Sequence, residues 1–230
     1  MEGRRVVVII GPPGAGKGTQ AELLAEEYGL VHLETSKLIE EVFRRRAGEE
    51  EIERARADFT AGRLVDPGLV RKWLGEKVAQ LSTEGYSIVF SGSPRTLEEA
   101  KAFLPLMEEH YGSRAVTIVR LVIPRDVSIK RNSMRRICKA SRHPIPYLPG
   151  TEKLKTCPKD GSPLITRSID DPKTVEVRFN VYLEQTAPVM GYLDGRGYRV
   201  WDINGDASIQ GVHQRITEVL ESRGAMIVEP

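Results

Sequence analysis

A chain of 230 residues with 40% apolar and 29% charged residues is long enough to bury a core without a disulfide staple. Its formal net charge of +2 sets up no strong field, so composition alone argues for neither a nucleic-acid nor a membrane surface. Two cysteines, Cys138 and Cys157, are too few for a secreted disulfide scaffold.

In chain order, Val6 to Ile10 predicts a buried strand, because it is short, β-branched and bounded by a glycine turn. This apolar run falls short of a signal-peptide core or a membrane span, so a cytoplasmic protein is expected. Gln20 to Tyr28 predicts a helix, with Leu23 and Leu24 opposite Glu22, Glu26 and Glu27 and with Gly29 as its stop. Residues 36–69 form a charged helical segment carrying Arg44, Arg45 and Arg46, and residues 132–168 are rich in Pro, Lys and Arg; neither reads as core. Helices are predicted over 70–81 and 97–110, and buried strands over 87–90, 116–123 and 198–203. From Ser208 a last helix repeats apolar residues at Ile209, Val212, Ile216, Val219 and Leu220. Strands alternating with helices predict an α/β fold, a parallel sheet covered on both faces, with ligands at the strand C-terminal ends.

Between the first strand and the first helix lies Gly11-Pro12-Pro13-Gly14-Ala15-Gly16-Lys17-Gly18-Thr19. Glycines let such a loop turn its N–H groups onto an anion, the helix N-terminus adds partial positive charge, and Lys17 reaches the outer phosphates. The expected ligand is a nucleoside triphosphate held by Gly14, Ala15, Gly16, Lys17, Gly18 and Thr19. The hydroxyl follows the lysine by two places, and this Gly-Lys-Gly-Thr form resembles nucleoside monophosphate kinases, the adenylate kinase family above all, nearly end to end.

The resemblance implies a P-loop NTPase-type sheet in a single kinase core over 1–230, with a helical monophosphate-binding arm at 36–69 and a lid at 132–168. It implies reversible transfer of the γ-phosphoryl group of ATP to AMP, giving two ADP, with Mg2+. Partners would be small-molecule nucleotides, without nucleic acid or membrane, and the chain a monomer. Phosphoryl transfer brings several anionic phosphates together, which calls for convergent cations, and the planar fork of arginine suits them. By resemblance Arg131 and Arg135 hold the donor, Arg95 the acceptor, and Arg167 with Arg178 the transferring group. Thr35, Arg63, Leu64, Val65, Gly92 and Glu99 fall beside the acceptor.

Three positions depart from the family pattern. His32-Leu33-Glu34-Thr35-Ser36-Lys37-Leu38-Ile39-Glu40 aligns with His-Ile-Ser-Thr-Gly-Asp-Leu-Leu-Arg, so Glu40 replaces a phosphate-binding arginine; Arg44, one turn on, could neutralise Glu40 or reach the phosphate itself. Ser91 replaces an aspartate that organises water around magnesium. Glu99 replaces the glutamine that reads adenine, and a carboxylate only accepts. AMP, UMP, CMP or another monophosphate therefore remains as acceptor, and a non-catalytic ATP-binding module is the rival. The lid retains Cys138, Cys157 and Asp160 of a tetrahedral zinc pattern but has Ser141 at the remaining position. A zinc ion, completed by His143, a hydrogen-bonded lid and a Cys138–Cys157 disulfide are the three alternatives there.

Overall fold

The structure, a computed structural model, describes residues 3–60, 65–141, 144–145, 151, 153–166 and 170–224. In chain order the strands are β1 (Val6–Ile10), β2 (Val31–Leu33), β3 (Ile88–Ser91), β4 (Val116–Val122), β5 (Arg136–Cys138), β6 (Pro144–Ile145), β7 (Leu164–Ile165) and β8 (Val200–Asn204). The α-helices are α1 (Lys17–Tyr28), α2 (Thr35–Arg45), α3 (Glu50–Thr60), α4 (Pro67–Thr83), α5 (Leu97–Tyr111), α6 (Arg125–Met134), α7 (Pro172–Val181), α8 (Ala187–Gly195) and α9 (Ile209–Ser222). A π-helical turn, Tyr182–Thr186, joins α7 to α8.

The main sheet is parallel throughout, in the order β2-β3-β1-β4-β8. Its central strand β1 is buried along its whole length, and its side chains alternate between two cores as strand geometry requires. Val6, Val8 and Ile10 join the larger core with residues of α2, α3, α4, α5 and α8. Val7 and Ile9 join the smaller one, where Leu24 of α1 meets Val212, Ile216 and Leu220 of α9. Both faces are therefore covered, as the strand–helix alternation predicts. Among the described residues no helix is long and apolar enough to cross a membrane.

Side-chain caps set several helix starts: Asp66 accepts from the Leu69 amide (2.9 Å), Thr96 from Glu99, Asp171 from Thr174 and Ser208 from Gly211. Gly29 ends α1 in the left-handed conformation, at φ +64°.

The structure corrects the reading of residues 36–69 as lying outside the core. Leu38, Ile39 and Phe43 of α2, Ile52 and Ala55 of α3, and Val65 are all buried in the larger core. Phe43 meets Phe59 and Trp73 edge to face, with ring centroids 5.6 and 6.2 Å apart. The exposed faces carry so many charges that they mask an apolar stripe at helical spacing. The short strand β2 was likewise not expected, because three residues at a sheet edge leave little pattern. Residues 132–168 contain a second, antiparallel sheet in the order β6-β5-β7, which buries Ile137, Cys138 and Ile145 away from either main core. Helix α1 begins at Lys17, before the expected Gln20, so the loop lysine sits in the first helical turn.

Phe43→Ala should lower unfolding free energy by about 3–5 kcal/mol, the cost of emptying a large aromatic site. Denaturant unfolding of the two proteins checks this; a change below about 1 kcal/mol would show that residues 36–69 are not part of the cooperative core.

Candidate anion-binding site at the carboxyl edge of the sheet

The glycine loop leaves the C-terminal end of β1 and is shaped by close contacts at two glycines. A Cβ at Gly11 would stand 2.6 Å from the Leu121 carbonyl oxygen, and one at Gly14 2.5 Å from Asn132 Nδ2. Ser128 of α6 donates to the Pro13 carbonyl at 2.7 Å, and Asn132 donates to the Ser128 carbonyl at 2.7 Å, so α6 braces the loop from behind. Gly16, at φ +92°, caps α1 without any side-chain bond. The first amides of α1 are thus left for an anion.

Lys17 folds back over the loop, its Nζ donating to the carbonyls of Gly11 and Pro12 at 2.8 Å each. Burial, and then the charges of Arg95, Arg178 and Arg135 in that order, lower its pKa from the usual lysine range to about 7. The structure therefore gathers four of the expected cations into one crevice. Arg131 lies apart, donating to the Gly205 carbonyl (2.7 Å) and pairing with Asp206 (3.2 Å) in the turn after β8. That turn adjoins the loop, since a Cβ at Gly205 would lie 3.2 Å from the Ala15 oxygen. Arg63, Leu64, Arg167 and His143 lie outside the described residues. Val65 is placed in the larger core.

Sequence reasoning missed the group that holds two of these arginines. Asp170, 1% exposed, takes Arg135 through both carboxylate oxygens (Nη2–Oδ1 2.7 Å, Nε–Oδ2 3.1 Å) and Arg178 at 3.3 Å. One buried carboxylate shared by two guanidiniums is satisfied on every side and sets their positions. The Asp170-Asp171-Pro172 run was visible only as a helix start, and Asp171 is indeed the cap.

Arg95 follows β3 through Gly92, whose φ of +93° and missing Cβ admit the guanidinium; its Nε donates to the Gly92 carbonyl at 2.5 Å. The Arg95 carbonyl accepts from Thr186 Oγ1 at 2.7 Å, which ties this loop to the π-helical turn. Glu99 turns back so that its Oε2 accepts from the Arg95 amide at 2.7 Å, while its own amide donates to Thr96. Thr35 Oγ1 lies 2.8 Å from Ser93 Oγ, and His32 Nε2 lies 2.6 Å from the buried Ser91 Oγ. Burial, with a smaller contribution from Lys37, lowers the His32 pKa to about 4, so this pair is neutral across the ordinary pH range. Glu40 and Arg44 are both exposed and no ion pair joins them; Arg45 pairs instead with Glu41 at 2.6 Å.

In the second sheet, the donor atoms of Cys138, Cys157 and Asp160 lie within 4.8 Å of one another. No disulfide joins Cys138 to Cys157, and backbone amides of Ser141 and Lys159 donate to Cys138 Sγ and Cys157 Sγ at 3.3 Å. Asp160 accepts from Ser162 Oγ (2.7 Å), the Ser162 amide (3.0 Å) and Ser141 Oγ (3.2 Å); the two bonds from Ser162, and after them those from the Cys138 and Cys157 thiols, hold its carboxyl well below the usual range.

The adenylate kinase family model matches residues 9–198. Curated relatives named adenylate kinase include one from Archaeoglobus fulgidus, 33% identical over 94% of this chain and 97% of the relative. One from Bacillus subtilis is 32% identical over 93% and 97%, and one from Oceanobacillus iheyensis 31% identical over 94% and 99%. With its glycine loop, its gathered cations and a match that spans nearly its whole length, the chain belongs to the adenylate kinase family.

Proposed function

We propose that this chain transfers the γ-phosphoryl group of ATP to AMP, reversibly, giving two ADP. The observation that carries the reading is the convergence of Lys17, Arg95, Arg135 and Arg178 on one glycine loop. Asp170 offsets two of these charges, and the positive excess that remains suits a polyanion, and best two of them. The loop amides and Lys17 would hold the donor phosphates with Arg135 and Arg131. Arg95, with Thr35 beside it, would hold the acceptor, and Arg178 with Arg167 would face the group in flight. No covalent intermediate is needed, because positioning and charge neutralisation are most of what phosphoryl transfer requires. Residues 36–69 would form the acceptor arm, and residues 132–168 a lid that excludes water when it closes.

Magnesium, when bound, would supply charge neutralisation to the phosphates, and Thr19 offers the loop hydroxyl that would hold it. Ser91 offers a neutral oxygen already engaged by His32, so this chain brings less charge to the metal's water shell than a carboxylate would. In the lid, two thiols and one carboxylate fit zinc as three donors, with Ser141 too weak a ligand to close the tetrahedron. The hydrogen bonds converging on Asp160 support a lid that holds its shape without metal.

Lys17→Met should lower kcat for ATP and AMP by about 100-fold or more. Saturable ATP binding with no product from the unaltered protein would favour a silent nucleotide-binding module instead. Phosphates entering beside Lys17 oppose the burial and the neighbouring charges that depress its pKa, so the amine should take up a proton on binding. The sign follows: above about pH 7 the free site is increasingly neutral, and ATP affinity should fall as pH rises toward about 9. Calorimetry in two buffers of different ionisation heat measures that uptake; its absence would mean Lys17 is charged before ATP arrives. Ser91→Asp should raise the magnesium-dependent rate, and the gain should grow with pH, because at lower pH His32 would take a proton and cancel the new charge. A gain independent of pH would show that His32 does not sense position 91.

A further inference from the structure

We propose that Thr186 is a positioning residue for the acceptor phosphate, acting through Arg95, an inference that rests on the phosphotransferase reading above. Arg95 lies between β3 and α5, in backbone that belongs to neither strand nor helix, so no ladder of regular hydrogen bonds fixes it. The residue is exposed, and its Nε leans on the Gly92 carbonyl inside the same loop. Yet its charge weighs on the buried Lys17 more than that of any other arginine, so it stands close to the glycine loop. What places it is its main chain, held on both sides by side chains. The Arg95 amide donates to Glu99 Oε2 at 2.7 Å, a contact within the helix start, and the Arg95 carbonyl accepts from Thr186 Oγ1 at 2.7 Å, from a distant part of the sequence.

A threonine hydroxyl inside a helix ordinarily returns to a carbonyl one turn back. Thr186 does not. It ends a π-helical turn in which the Ala187 amide reaches back to the Tyr182 carbonyl, it is the one buried residue of that turn, and its hydroxyl leaves the helix for Arg95. The same helical run begins with α7, on which Arg178 is held by Asp170. Thr186 therefore joins the arginine assigned to the acceptor to the element carrying the arginine assigned to the group in flight. Transfer depends on that spacing, because reacting atoms must be held within about 3–3.5 Å of one another. Without the hydroxyl the Arg95 carbonyl loses this partner and the loop is tethered on the Glu99 side alone. The donor's glycine loop is braced separately, by Ser128 of α6.

The test compares Thr186→Val, which keeps the branched shape and removes the hydroxyl, with Thr186→Ser, which keeps the hydroxyl. For Thr186→Val the KM for AMP should rise about tenfold, while the calorimetric Kd for ATP stays within about twofold of the unaltered value. Thr186→Ser should bring the KM for AMP back to within about threefold. A loss of folded protein alone lowers kcat through the active fraction and leaves KM where it was, so the split separates positioning from stability. Thr186→Ala gives the same reading should the valine variant not fold. An unchanged KM for AMP, an equal loss of ATP affinity, or a serine variant as impaired as the valine one would overturn this inference and leave the phosphotransferase standing. Failure of the unaltered chain to phosphorylate AMP would overturn both.

Discussion

Like charges do not gather without a reason, and the crevice of this protein is arranged around that constraint. Three arginines face a lysine at the mouth of the glycine loop, and each raises the cost of protonating it. The protein answers in two ways. Lys17 turns its amine onto the loop's own carbonyls, and Asp170 places one buried carboxylate under two of the guanidiniums. These bonds give the cations fixed positions in the absence of ligand, so little rearrangement is left for the moment when phosphates arrive.

The parallel sheet makes that arrangement reachable. Loops from β1, β3 and β4 all leave the same edge, so Lys17, Arg95 and Arg135, just past α6, come together although they are far apart in sequence. Two glycines without room for a Cβ fix the loop's path, and Ser128 and Asn132 brace it from α6. Elsewhere the ends of β2 and β3 are held by neutral pairs, His32 with Ser91 and Thr35 with Ser93, and by the bond that links Glu99 to Arg95.

Much of this was legible in the chain. Residues 6–19 show a strand, a phosphate loop and a helix start in order, because glycine, lysine and β-branched residues each have few other uses at such spacing. The main strands and the last helix were equally plain from apolar runs. The role of Asp170 was not, because an acidic pair before a proline reads first as a helix cap, and Asp171 is one. The burial of Phe43 and Ile52 was masked by the arginines and glutamates around them, whose surface faces dominate any composition count. Glu99 read as a base contact, whereas in the fold its carboxylate accepts from the Arg95 amide and its own amide donates to Thr96, which makes it part of the helix start.

The register of the main sheet bears on how the chain is born. Val6 of the central strand pairs with Ile88 on one side and Val116 on the other, so the first strand synthesised has no hydrogen-bonding partner until some eighty further residues have emerged. At ordinary translation speeds that delay is roughly 4–16 s. Throughout it, five apolar residues of the central strand have no sheet partner, which is the kind of long-range pairing that makes a chain slow to fold and exposed to aggregation.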